Sequence, residues 1–342
     1  MKITVGSLTY SWTDSWAQLP DSPSRRLGWA HHGVVVAQNG EVITFHPGDP
    51  TVLTFQSNGA LVRSWKAPVV EAHGMALSVD GSREYLWIAD PGAKRDQAIG
   101  YQYQPGPRRG QVIKFSLSGR AALKLALPAL AVYGSGTYSP TSVTVFQQRH
   151  GGVGDIWVAD GYGESYVHRY SNSGDYLGSI NGEEGRAGRF NCPHAVYFDT
   201  RKTDPELYVA DRTNRRVQVF DTEGKFKRAF GSDFLTSPSA FAVSGDYLII
   251  AELRGRLAVL DRDDRLVGYL GANPAIADTE RGSPKDPLGW PNQQGPDGGL
   301  VRPGDLEPGK FNSPHGVAAD QHGNLFVVEW LIGGRYTKLA KS

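Results

Sequence analysis

One short pattern, written six times along 342 residues, limits what this chain can become more than any other feature. Three copies carry a histidine: Glu71-Ala72-His73-Gly74-Met75-Ala76-Leu77, Cys192-Pro193-His194-Ala195-Val196-Tyr197-Phe198 and Ser313-Pro314-His315-Gly316-Val317-Ala318-Ala319. From each histidine to the next there are 121 residues. Three weaker copies lie before and between them, at 31–36, 139–145 and 237–243. Such a repeat is one supersecondary unit, too small to bury its own apolar face, that must stack against copies of itself.

Behind each copy comes a turn and a second apolar run, at 41–45, 85–90, 155–160, 206–211, 246–252 and 324–329. Each run alternates or is β-branched and has the length of a strand. In five units a hairpin follows, at 51–65, 111–125, 167–180, 216–230 and 256–270, with a glycine or Asp-Asp turn. Four strands in each of six units predict an all-β fold, a six-bladed β-propeller. The 42 glycines and 21 prolines fit many short strands joined by tight turns.

The expected blades are 29–68, 69–128, 136–182, 189–231, 235–271 and 311–342, in one domain over 1–342. The last unit is one strand short. Residues 3–12 alternate like a strand, so an N-terminal strand is expected to complete that blade, close the ring and cover an open sheet edge. Two stretches fall outside the repeat: 91–110, with Lys94, Arg95, Tyr101, Tyr103, Arg108 and Arg109, and 272–310, with Trp290. Long loops in a compact domain are usually functional lids or disordered segments, so these two either cover one mouth of the channel or decorate the surface.

With 36 basic and 35 acidic residues, formal charge +1, no field draws the protein toward nucleic acid or an anionic membrane. Cys192 is the only cysteine, which excludes an intrachain disulfide. The start carries no apolar run of signal-peptide length, and the expectation is a soluble, cytoplasmic protein. Its expected partner is a small-molecule substrate; nothing in the sequence fixes an oligomeric state.

In a propeller the first strand of each blade lines the central channel, so equivalent positions form a ring. Here the ring reads His32, His73, Thr141, His194, Ser239, His315. Blades two, four and six thus supply His73, His194 and His315 at even spacing, from which three imidazoles can converge on one divalent metal. Three protein ligands with one open position is the pattern of catalytic zinc, and zinc is the first choice, although imidazole also suits iron, copper and nickel. His32 neighbours this ring as a fourth ligand, a hydrogen-bond donor that orients a ligand, or a substrate contact.

The ends of the second strands form another ring: His46-Pro47, Asp90-Pro91, Asp160-Gly161-Tyr162, Asp211-Arg212, Glu252-Leu253 and Glu329-Trp330. The acids are expected to accept backbone N–H groups of the turns that follow. Tyr162 is a candidate general base beside a cation, and Arg212 a candidate clamp for a carboxylate or oxyanion. His46 and Trp330 are candidate substrate contacts. Arg216, Arg256 and Arg335 recur before the third strand and read as residues that maintain the repeat.

The run Gly188-Arg189-Phe190-Asn191-Cys192-Pro193-His194-Ala195-Val196, continued by Leu207-Tyr208-Val209-Ala210-Asp211-Arg212-Thr213-Asn214-Arg215-Arg216-Val217, resembles the NHL repeat. The channel histidines make the chain similar to the lyase domain of peptidylglycine α-amidating enzymes, zinc propellers that cleave a peptidyl-α-hydroxyglycine into amide and glyoxylate. The resemblance implies that His73, His194 and His315 hold the zinc, that Tyr162 after Asp160-Gly161 is the catalytic tyrosine, and that Arg212 after Ala210-Asp211 is an active-site arginine.

Two positions depart from the family. Its second arginine, in a His-Arg-Gly-Asp stretch, is replaced in His46-Pro47-Gly48-Asp49, and the acid that serves its structural calcium is replaced by Gly316. The expectation is therefore a metal-dependent lyase, or a hydrolase of similar logic, on a small polar hydroxylated substrate other than a peptide, with a structural calcium doubtful. Carbohydrate-derived or hydroxy-acid substrates are favoured, with Tyr101, Tyr103, Trp290 and Trp330 available to stack on sugar faces. The alternative is a noncatalytic propeller that binds a partner on its rims.

Overall fold

A computed structural model of the chain describes residues 1–104 and 109–342; Arg108 of the first insertion lies outside them. The fold class is a six-bladed β-propeller. Five blades are four-stranded up-and-down sheets and the sixth has five strands. The first-strand segments that carry the repeat are Val34–Val36, Gly74–Asp80, Ser142–Val145, Pro193–Asp199, Pro238–Ser244 and Pro314–Ala319. The second strands are Val42–Phe45, Arg83–Asp90, Ile156–Ala159, Glu206–Asp211, Tyr247–Glu252 and Leu325–Glu329.

The chain forms two compact units. Unit one is Met1–Ser64, Lys94–Gly106 and Phe241–Ser342; unit two is Trp65–Ala93 and Pro107–Ala240. Unit two is built on blades two, three and four. Its core is Trp87, Val112, Val143 and Tyr170 where blades two and three pack, and Trp157, Val167, Phe198 and Phe220 where three and four pack. Unit one is built on blades five, six and one, with Trp16, Val42, Phe55 and Phe326 at its centre. These are the inward residues of the alternating runs, and each large side chain so buried is worth about 1.5–3 kcal/mol.

The N-terminal segment completes the last blade within unit one, in the order Lys2–Val5, Leu8–Thr13, Arg335–Lys341, Leu325–Glu329, Pro314–Ala319. It does so as a hairpin rather than a single strand. Val5 pairs with Leu8, and Gly6, at φ +53°, supplies the left-handed residue of the two-residue turn. Tyr10 and Trp12 are buried, and Trp12 stands 4.5 Å from Phe311.

The repeated acids and arginines form one device. Arg216 donates through Nε to Asp211 at 2.7 Å, Arg256 to Glu252 at 2.6 Å, and Arg335 pairs with Glu329 at 3.3 Å. In each case the arginine opening the third strand sits directly across from the acid ending the second.

Candidate functional site

The histidines of the repeat are positioned by the acids at the ends of the second strands. Asp90 accepts from the backbone N–H of Val70 and Glu71 (3.0 and 3.1 Å), Asp211 from Asn191 (2.8 Å), and Glu329 from Asn312 and Ser313 (2.6 and 2.8 Å). Asp90 also caps the turn that follows it, taking the N–H of Gly92 at 3.0 Å, and each of the three acids ties down the segment that leads into His73, His194 or His315. In two blades the histidine is itself an extra residue: pairing jumps from Pro193↔Asp211 to Ala195↔Ala210, and from Pro314↔Glu329 to Gly316↔Val328. A β-bulge of this kind turns one side chain out of the sheet's alternation.

All three histidines make the same second bond. His73 Nδ1 lies 2.6 Å from the carbonyl of Thr141, His194 Nδ1 2.8 Å from that of Ser239, and His315 Nδ1 3.0 Å from that of His32. Thr141, Ser239 and His32 are the other three members of the ring read from the sequence. A carbonyl only accepts, so each Nδ1 carries the proton and each Nε2 presents a lone pair. Metal-binding histidines are oriented in this way.

In unit two the rings of His73 and His194 stand 4.8 Å apart, and the hydroxyl of Tyr162 lies 3.1 Å from the Nε2 of each. One phenol has one proton for these two acceptors, and Arg212 Nη1 donates to the same oxygen at 3.3 Å. The donor set therefore fits a cation: two imidazole lone pairs meet at one oxygen that a guanidinium already helps to hold. Gly161 sets the approach, since a Cβ there would lie 2.5 Å from the Pro193 carbonyl and 2.6 Å from the Thr141 hydroxyl. Asp160 ties the Tyr162 turn through the N–H groups of Ser139 (2.6 Å) and Glu164 (2.8 Å) and accepts from the Tyr133 hydroxyl at 2.6 Å.

Arg212 is half-buried. Burial is the largest influence on its guanidinium and opposes the charge, but Tyr162 and Cys192 beside it outweigh that and hold its pKa above the ordinary value. Burial pushes the Cys192 thiol up.

In unit one the histidine beside His315 is His31, their rings 4.7 Å apart, and His31 also stands 5.6 Å from the Trp330 ring. Within each unit the paired histidines offer ligand atoms within 4.8 Å of one another. His32 keeps its ring position only through its backbone carbonyl. Its side chain turns into the blade, with Nε2 2.9 Å from the Tyr336 hydroxyl and Nδ1 3.1 Å from Thr44 Oγ1, and burial above all lowers its pKa to about 3. In the His31-His32 pair the repeat register selects the second residue, while the structure turns the first toward His315; the adjacent histidine was the one available signal.

His46 ends its strand as a turn acceptor, its Nδ1 taking the N–H of Gly48 (3.1 Å) and Asp49 (2.8 Å) where the other blades use an acid. Trp330 and Tyr101 are buried in an apolar cluster with Trp29, Leu253 and Ile332, with Trp290 packed against it. Tyr101 and Trp330 are thus spent on each other and their neighbours rather than left as open platforms for sugars. At Gly316 a Cβ would meet Val328 at 2.9 Å and the His32 carbonyl at 3.2 Å, so the acid of the calcium-binding pattern has no room there.

No protein-family model matches the chain. It is 30% identical over 276 residues to NHL repeat-containing protein 3 of Mus musculus, covering 74% of each chain. It is 26% identical over 275 residues to peptidyl-alpha-hydroxyglycine alpha-amidating lyase 1 of Drosophila melanogaster, covering 71% of this chain and 47% of that one. A solved streptogramin B lyase superposes with a TM-score of 0.57 over 97% of this chain and 98% of that chain at 14% identity, a likeness of fold.

Proposed function

The chain belongs to the family of NHL repeat-containing protein 3, and from that premise we propose that it is a metal-dependent lyase, or a hydrolase of similar logic, acting on a small polar hydroxylated substrate. The observation that carries this reading is the shared bond from Nδ1 to a backbone carbonyl at His73, His194 and His315. Three imidazoles in one tautomer, at the same position of alternate blades, are suited to one divalent metal, with zinc first in order. A metal so bound supplies a Lewis acid that polarises a substrate oxygen and stabilises negative charge on it.

The chain's own residues do the rest. Tyr162, as phenolate steadied by Arg212 at 3.3 Å, takes the proton of the substrate hydroxyl. The O–H electron pair becomes the second bond of a carbonyl, the bond from that carbon to its leaving group breaks, and the leaving group departs with the proton returned by Tyr162. In the hydrolytic version Tyr162 takes its proton from water, the hydroxide oxygen bonds to the electrophilic carbon, and the bond from that carbon to its leaving group breaks with the proton returned by Tyr162. The lyase among the relatives supports the first version.

The noncatalytic reading is favoured by the name of the mouse relative, which records repeats and no reaction. The two are separated by screening hydroxylated metabolites, uronic acids and keto-sugars for a new carbonyl product before and after chelation. Activity that disappears on chelation and returns with zinc is expected. Full activity in the chelated protein contradicts the metal, and no turnover of any compound favours the binding module.

A further inference from the structure

Residues 94–103 are inserted in the sequence of blade two but belong to unit one. There Arg95–Asp96 and Gln102–Tyr103 form a small antiparallel hairpin, with Tyr103 opposite Arg95. Tyr101 anchors it by donating to the Leu27 carbonyl at 3.0 Å and setting its ring 5.6 Å from Trp29. The insertion is therefore a built wall of unit one. It brings a guanidinium with it.

The Arg95 guanidinium lies 4.7 Å from the Trp29 ring, 4.8 Å from Tyr103 and 5.8 Å from Trp330. Among the described residues it makes one hydrogen bond, from Nη1 to the Tyr101 carbonyl at 2.9 Å, and no carboxylate pairs with it. Its Nε is buried without an acceptor, as is the Nε1 of Trp29 and of Trp330. Four other partly or fully buried arginines have acids: Arg216 has Asp211, Arg256 has Glu252, Arg254 has Asp286 and Arg201 has Asp199.

Aromatic faces return less to a cation than full removal from water costs it, and Arg95 is half-buried. A guanidinium held in place by rings, with donors and no acid, is arranged for an anion that arrives from outside. Trp330, which flanks Arg95, also flanks His31, and His31 stands against His315. The site for that anion is thus two rings, Trp330 and His31, away from His315, an expected metal ligand.

We propose that Arg95 is a specificity-determining residue that takes the carboxylate of a hydroxy-acid substrate, a uronic acid included, whose hydroxyl lies toward His315. This rests on the reading of the site given above and deepens it: the guanidinium comes from an insertion outside the repeat, not from the blade-one position occupied by Pro47. A planar carboxylate fits the guanidinium fork in two parallel bonds, and a neutral substrate leaves the buried donors unanswered.

The test is equilibrium binding to the full chain, followed by the fluorescence of the tryptophans beside Arg95. Two matched pairs serve as probes, mandelate against mandelamide and glucuronate against glucose. We expect the acid of at least one pair to bind about ten- to a hundred-fold more tightly than its neutral partner, the worth of a charge-assisted hydrogen bond. Arg95→Gln should abolish that preference and Arg95→Lys keep part of it, both with the bound metal of the parent protein. Equal binding within both pairs, no binding of any probe, or a preference that survives Arg95→Gln overturns the proposal. A parent protein that prefers the acid but holds no metal leaves Arg95 standing and refutes the metal centre instead.

Discussion

In unit two, His73 and His194 stand 4.8 Å apart with a phenol and a guanidinium on their Nε2 side. In unit one, His31 and His315 stand 4.7 Å apart with Trp330 against His31 and an aromatic-lined arginine behind it. The repeat supplies the same carbonyl-held imidazole to both. What differs is the turn after the second strand: Asp160-Gly161-Tyr162 and Asp211-Arg212 in one unit, Glu329-Trp330 in the other. The conserved geometry of the scaffold makes the lining, and short departures at strand ends decide between chemistry and recognition.

The units also differ in how the chain builds them. Unit two is nearly continuous in sequence, whereas unit one gathers both ends of the chain and the 94–106 insertion. The largest effect is therefore expected from removing residues 1–13. That deletion strips the Arg335–Lys341 strand of its neighbour and takes away the buried Tyr10 and Trp12, at about 3–5 kcal/mol for each large aromatic. We expect insoluble protein or a melting temperature lower by about 10 °C or more; a truncated protein with unchanged thermal unfolding breaks the distinction between the units.

Tyr162→Phe sharpens the comparison from the other side. It removes the hydroxyl that faces both imidazoles of unit two and leaves the ring and the fold. Turnover should fall by about 10²–10⁴-fold, the worth of a positioned acid–base group, with metal content and melting temperature unchanged. A variant that keeps a tenth or more of the activity would remove Tyr162 from the chemistry.

Much of this was legible in the sequence because a propeller writes its topology as a period. The six units, the hairpins and the closure by the N-terminus follow from strand-length alternation, and the arginines at 216, 256 and 335 fall where the repeat needs them. The ring position was also legible, with Thr141, Ser239 and His32 as its other members; that their carbonyls hold the three histidines was not. Side-chain direction was not. His32 has the right register and the wrong orientation, since Tyr336 and Thr44 draw its ring into the blade, and only tertiary packing decides that. Arg95 was hidden for a different reason: its insertion has no period, and sequence distance from Trp29 and Trp330 gives no hint of their contact.

The central claim is that His73, His194 and His315 serve one metal while His32, its ring bonded to Tyr336 and Thr44, does not carry it. Elemental analysis of the purified chain and of single alanine variants tests it most directly. The account predicts about one divalent metal, zinc first, per chain, lost in His73→Ala, His194→Ala and His315→Ala and retained in His32→Ala. A parent protein without stoichiometric metal, or one whose metal survives His194→Ala, contradicts it.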